Sequence, residues 1–338
     1  MRTLDTIRYM GIKTHLLDEI IPTICSVTPE NGVVLDLMAG SNAVSYALKE
    51  FFTVYTNDVQ EYSYVISKAV IENKTERISQ ETAVAELGAY FGKKEYDFFT
   101  KTYSGTYFSQ KQCEDIDDIR YAVSCLKNEY RRSLYLFALM CAMCKVQSTP
   151  GHFAQFMPAE HSRIIPLQKM DLREEFFLKC NNYSDLYLNN RQNKAFCGDY
   201  KLLLTNGAIK DVNTVYLDSP YSQEQYSRFY HVLETLVKYD NPEVAFKAKY
   251  RNDRFQSDFC YKNRVRSEFE NIILFCVENN KNLVISYSNH GVLPESELYK
   301  LCQDYFKSVS LKEINYKHST QGKGNKELKE IILSCVVH

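Results

Sequence analysis

Short apolar runs that end on an acid or a small polar residue alternate along this chain with stretches whose apolar positions recur at helical intervals. Val33-Val34-Leu35-Asp36-Leu37 and Thr53 to Asp58 read as buried strands, and so do the runs entering Asp199, entering Asp218, and at Leu283 to Tyr287. Leu16, Leu17, Ile20 and Ile21 predict a first helix, closed by the prolines at 22 and 29. A second helix runs through Leu48. Phe229, Val232, Leu233, Leu236 and Val237 predict another, ended by Asp240-Asn241-Pro242, and Phe269, Ile272, Ile273, Cys276 and Val277 repeat the spacing. Two more strands are predicted near Ser308 to Ile314 and Glu330 to Val337. The economical fold is α/β, a mainly parallel sheet with helices on both faces.

Between about residues 75 and 194 the pattern changes. Tyr, Phe and Lys alternate without clean periodicity around one helix predicted from Asp117 to Lys145, which reads as a mainly helical insertion with its own small core. The chain thus divides into 1–74, 75–194 and 195–338, the first and last forming one unit.

With 338 residues, 45% hydrophobic and 25% charged, the chain can build real cores and has no composition of disorder. Met1 to Met10 lacks a signal-peptide core and no run is long enough to span a bilayer, so a cytoplasmic location is predicted. Eleven cysteines without paired spacing fit reduced thiols, and Cys141 and Cys144 follow Leu134, Phe137 and Ala138 at helical intervals as core residues. A net charge of −1 excludes an overall basic coat but leaves room for a local basic face.

The chemistry concentrates in the loops after the strands. Met38-Ala39-Gly40-Ser41-Asn42 after the first strand is small enough to bring backbone amides against a ligand, and Asp58 lies 22 positions beyond Asp36, about the spacing at which an acid reaches a ribose. Asp218-Ser219-Pro220-Tyr221 offers a carboxylate, a carbonyl held by the fixed φ of proline, and a planar ring. That set suits a flat heterocycle bearing an amino group, although an Asp-Ser-Pro segment by itself is usually just a turn.

In this order, Tyr9-Met10-Gly11-Ile12-Lys13, Asp36 to Asn42, Asp58, Asp199 and Asp218 to Tyr221 resemble the Dam-like adenine-N(6) DNA methyltransferases in their alpha arrangement. The resemblance spans the chain except for about residues 75 to 190, where that family carries its target-recognition domain. It implies a Rossmann-like methyltransferase domain, S-adenosyl-L-methionine as methyl donor, no metal, and a flipped adenine in double-stranded DNA as acceptor. Tyr9, Lys13, Asp36, Met38, Ala39, Gly40, Ser41, Asn42, Asp58, Asp199 and Tyr200 would bind the cofactor, with Lys13 facing its carboxylate. Asp218, Ser219, Pro220 and Tyr221 would hold the adenine. A monomer is implied, with a cognate restriction endonuclease as candidate partner. Two positions depart from the family pattern: Asn42 stands for a glycine and Ser219 for a proline, the second predicting a less rigid loop. Methylation of RNA or of a protein glutamine, and a degenerate relative without turnover, are the alternatives.

For DNA, Arg228 and His231 are predicted near the flipped base, and Lys247, Lys249, Arg251, Arg254 and Arg264 on a phosphate surface, with a solvated helix face as the other reading of that run. Lys317 to Lys326 is a second contact or a hairpin. In the insertion Tyr103, Tyr107, Arg131, Arg132, His152 and Gln155 are of the types that read base edges.

Overall fold

A computed structural model describes residues 1–158, 160–316 and 328–337; the segment Lys317 to Lys326 lies outside them. The strands are β1 (Val33–Asp36), β2 (Thr53–Asp58), β3 (Lys194–Cys197), β4 (Thr214–Leu217), β5 (Val244–Ala245), β6 (Tyr250–Arg251), β7 (Asn282–Ser288), β8 (Ser308–Tyr316) and β9 (Leu328–Val336). Seven of them form one sheet in the order β3-β2-β1-β4-β7-β9-β8, while β5 and β6 make a separate short hairpin. In that sheet β9 alone runs against its neighbours, pairing antiparallel with β7 and β8, and the strands from β3 to β7 are parallel. The strand order reverses between β1 and β4, so a crevice opens beyond their carboxyl ends.

Alternation along the strands fixes the two faces. Val34, Val54, Tyr216, Val284 and Ile332 enter one apolar cluster, and Leu35, Tyr55, Val215, Ile285 and Leu333 the other. The first face is covered by α1 (Leu17–Val27), α2 (Ala43–Leu48) and α3 (Glu61–Ser67), through side chains such as Ile20, Ala47 and Ile66.

Residues 75–193 supply α4 (Gln80–Leu87), α5 (Phe98–Thr102), α6 (Gln110–Ser124), α7 (Glu129–Val146), α8 (Ile164–Lys169) and α9 (Leu172–Asn181). Their buried side chains, Ile119, Leu139 and Phe176 among them, join the same cluster as the first sheet face. This segment therefore shares its core with the sheet instead of enclosing one of its own. The second face is covered by α10 (Tyr200–Thr205), α13 (Val265–Glu278) and α14 (Glu295–Tyr305), while α11 (Tyr226–Phe229) and α12 (His231–Lys238) follow the β4 loop.

Three helix limits differ from the sequence reading, the first a break at Tyr230 that divides the helix predicted from Phe229 to Val237 into Tyr226–Phe229 and His231–Lys238. Pro22 lies inside α1. Burial of Leu17, Ile20, Ile21 and Ile24 carries the helix past the missing N–H. The stretch read as one helix from Asp117 to Lys145 is two, because Asn128 turns out of the helical region and its side chain caps α7 by accepting from the Arg131 N–H. Cys141 and Cys144 are buried in α7 and unpaired, as the pattern predicts.

Candidate active site

Backbone hydrogen bonds extend the ladder past the strand ends and draw the loops together. Leu37 N–H donates to the Tyr216 carbonyl at 3.0 Å, Ala39 N–H to Asn57 at 2.9 Å, and Gly198 N–H to Asp58 at 2.9 Å. The turn after β1 then bends through two residues of positive φ, Gly40 at +50° and Asn42 at +61°. At Gly40 a Cβ would come within 2.9 Å of the Tyr9 ring, so only glycine lets that ring lie against the turn. Asn42 holds the other position with its side chain, donating to the Ser63 carbonyl at 3.2 Å and accepting from the Ser67 hydroxyl at 2.7 Å. Asparagine thus serves where glycine is usual.

These loops line a crevice that opens to solvent and encloses about 1220 Å³ when the open space at its mouth is included. Every residue named from the sequence for the cofactor, and each of Asp218 to Tyr221, lines it except Asn42, which is buried; Arg228 and His231, predicted near the base, do not line it. Tyr9 forms part of the wall, stacked on Tyr230 with ring centroids 4.7 Å apart. Asp58 accepts from the Gly40 N–H at 2.8 Å and the Gln60 N–H at 2.9 Å. Asp36 accepts from the Ser45 hydroxyl on one oxygen, while its other oxygen is buried with no partner among the described residues. Burial pushes its carboxyl up to about 7, with the Ser45 hydrogen bond only partly offsetting the shift. Asp199 caps α10, accepting from the Lys201 N–H at 2.9 Å, and the Tyr200 hydroxyl donates to Glu268.

At the β4 loop the arrangement departs from the sequence reading. The Lys13 ammonium is almost fully buried, 3.1 Å from Asp218 Oδ1 and 2.8 Å from Glu330 Oε1, and it also donates to the Gly11 carbonyl at 3.0 Å. Its three protons thus have three acceptors from the protein: Asp218 of the β4 loop, Glu330 of β9 and the Gly11 carbonyl. Burial disfavours its charge, but Asp218 and Glu330 outweigh that and hold its pKa above the ordinary lysine value. Burial pushes Asp218 up to about 6, Lys13 pulling it back and Glu330 adding to the rise. Ser219 is buried at 1% exposure, and the Tyr221 carbonyl accepts from the Val292 N–H at 3.0 Å, so the loop is braced without a second proline. Gly11, at φ +72°, passes so close to Tyr221 that a Cβ would lie 2.7 Å from its hydroxyl.

Glu330, Tyr226, Tyr230 and Glu268 border this site and carry no local motif. Only the sheet order, which sets β9 beside β7, brings Glu330 there.

The residues predicted to meet DNA separate into two groups. His231 is fully buried, its Nε2 3.0 Å from the Phe153 carbonyl, and burial lowers its pKa to about 3. Arg251 is 1% exposed, bidentate to Asp240 at 2.7 Å and paired with Asp253 at 2.8 Å. Both are interior supports, because α12 and the β5–β6 hairpin fold back over them; neither can reach a phosphate as the fold stands. Arg264 pairs with Asp258, Arg228 with Glu224, and Arg254 lies over the Tyr250 ring. Lys247 is exposed and Lys249 partly so, and no ion pair among the described residues engages either, or Lys262 or Arg266. In the helical segment Tyr103 and Tyr107 are fully buried, Arg131 pairs with Glu76 and Glu86, and Arg132 donates to the Leu126 carbonyl. His152 is half-buried and Gln155 exposed.

A family model described as D12 class N6 adenine-specific DNA methyltransferase matches residues 9–301. Among curated proteins, the chain is 28% identical to "Modification methylase StsI" of Streptococcus sanguinis over 96% of this chain and 51% of that protein. It is 28% identical to "Type II methyltransferase M.FokI" of Planomicrobium okeanokoites over 88% of this chain and 47% of that protein. "Type II methyltransferase M2.HphI" of Haemophilus parahaemolyticus is 24% identical, with 98% of this chain and 97% of that protein covered. The chain thus spans about half the length of the first two relatives and nearly all of the third.

Proposed function

The chain belongs to the D12 class of N6 adenine-specific DNA methyltransferases, and from that premise we propose that it methylates the exocyclic amine of an adenine flipped out of duplex DNA. The observation that carries this reading is the meeting of Asp218, Ser219 and Tyr221 with Asp36, Gly40 and Asp58 in one crevice. S-adenosylmethionine, when bound, supplies a methyl group on a positively charged sulfur. The residues present fit it: a glycine turn that tolerates close approach, an unpartnered buried oxygen on Asp36, and acceptors on Asp58 and Asp199 for its ribose and adenine.

The chain's own residues then do the following. Tyr221 stacks on the adenine, contributing about 1–3 kcal/mol against an unstacking cost of a few kcal/mol. Asp218 and the Ser219 carbonyl accept the two amino hydrogens, which draws the nitrogen lone pair out of conjugation and aims it at the methyl carbon. The nitrogen pair forms the new bond, the carbon–sulfur pair stays on sulfur, and the surplus proton is held at Asp218. Orientation and fixed charge supply most of the acceleration.

Residues 75–194 are proposed as the target-recognition part and 1–74 with 195–338 as the catalytic part. A cytoplasmic monomer acting beside a restriction endonuclease is part of the same proposal; no described helix is long and apolar enough to cross a membrane.

Tritiated methyl donor incubated with unmethylated plasmid DNA or with total RNA tests the reading. Label is expected in the duplex DNA, and label in RNA alone would overturn it. Because only the ionised Asp218 can take up the surplus proton, and its folded value is about 6, the single-turnover rate is expected to fall about tenfold per unit as pH drops below that value. A flat profile down to pH 4.5 would contradict the role. DNA affinity should fall steeply with salt, and replacing Lys247, Lys249 and Lys262 by Gln should flatten the slope by about 0.9 for each phosphate no longer neutralised.

A further inference from the structure

We infer, on the functional reading above, that Glu330 is a positioning residue for methyl transfer: it shares the Lys13 ammonium so that Lys13 does not close on Asp218, which keeps an oxygen for the substrate amine. β9 is the strand that enters the sheet at the edge where the parallel strands end, so its third residue arrives beside the β4 loop. With period 2, Glu330 falls on the face of Ile332, the face that α1 covers, and the segment leading into α1 carries Lys13. Lys13 and Glu330, far apart in sequence, thereby meet beside Asp218.

The charge count gives the arrangement its meaning. Asp218 and Glu330 with Lys13 between them carry one net negative charge; without Glu330 the pair would be neutral. A buried ammonium deprived of one acceptor would close on Asp218 and blunt the carboxylate that must accept from the amine. The amine nitrogen becomes positive while its lone pair is forming the bond to carbon, and a net negative cluster beside it stabilises that charge. Other groups face Asp218 as well: Asp36 of β1, Tyr216 of β4, Tyr221 of its own loop, Tyr226 of α11, and Tyr9 beside Lys13. The tyrosines stay neutral, because burial raises their hydroxyls above the ordinary value, and Asp36 adds negative charge only when it is ionised.

Glu330→Gln keeps the shape and removes the charge. In the full chain it is expected to bind S-adenosylmethionine in calorimetry as the wild type does, and to transfer methyl groups to plasmid DNA about 10–100-fold more slowly in single turnover. The acid limb of its pH profile should move to lower pH, since a negative neighbour is removed. Carbon-13 titration of the Asp218 carboxyl in the protein without cofactor reads the same shift independently of turnover, and Glu330→Asp should lie between the two. Should the Gln variant not fold, the Asp variant carries the titration.

An unchanged rate and an unchanged Asp218 midpoint would overturn the inference. A wild type that leaves DNA unmethylated would instead sink the functional reading, while the titration would still decide whether Glu330 sets the charge on Asp218.

Discussion

Asp218→Asn is expected to slow methyl transfer by about 10²–10³-fold and to leave cofactor affinity nearly unchanged. The substitution is almost isosteric, so the β4 loop, braced through the Tyr221 carbonyl and Val292, should keep its course. What changes is chemical. The carboxamide turns one acceptor oxygen into a donor facing the substrate amine, and it removes the negative charge that balances Lys13 at 3.1 Å. Single-turnover rates beside calorimetric titration separate the two effects. Equal losses of rate and cofactor affinity would mean that Asp218 holds the fold of the crevice instead of the reacting base.

The second large effect is expected on stability. The neighbours of Arg251 in sequence suggest a phosphate surface, yet its guanidinium is buried between Asp240, Asp253 and Thr235. Arg251→Ala is expected to cost about 3 kcal/mol, the low end for breaking a buried pair, because Asp240 and Asp253 remain partly exposed and can rehydrate. Chemical denaturation should report a lower midpoint with an unchanged slope. The salt dependence of DNA binding, measured well below the unfolding temperature, should stay as in the wild type. A flattened salt slope without loss of stability would return Arg251 to the DNA surface.

These two residues show what a linear reading can and cannot reach. Asp36, Asp58 and Asp218 were legible because a buried strand makes an apolar run, and the acid after it marks where the backbone leaves the sheet. Parallel strands put all such exits on one edge, so order along the chain translated into proximity in space. Asn42 was legible for a local reason too, its tolerance of positive φ.

Burial of charge was not legible. Arg251 and His231 lie in a run of basic and aromatic residues whose periodicity does not say which side faces inward, and their partners come from α12, the loop after it and residue 153. Pro22 misled for a related reason: local propensity favoured a stop, and four buried apolar side chains overrode it. The pairing of Lys13 with Glu330 was equally hidden, because Glu330 reaches it only through the antiparallel insertion of β9. The shared core of the helical segment and the sheet likewise depends on long-range packing between α3 and α7 that no window of sequence contains.

The function proposed for this chain depends on residues 218 and 219 gripping the amine of an everted adenine. Mass spectrometry of nucleosides from unmethylated plasmid DNA, after incubation with the wild-type protein and S-adenosylmethionine, puts that grip to a single test. N6-methyldeoxyadenosine is expected in the wild-type digest, and almost none with Asp218→Asn. A digest carrying only N4-methyldeoxycytidine, or equal N6-methyldeoxyadenosine from both proteins, would contradict it.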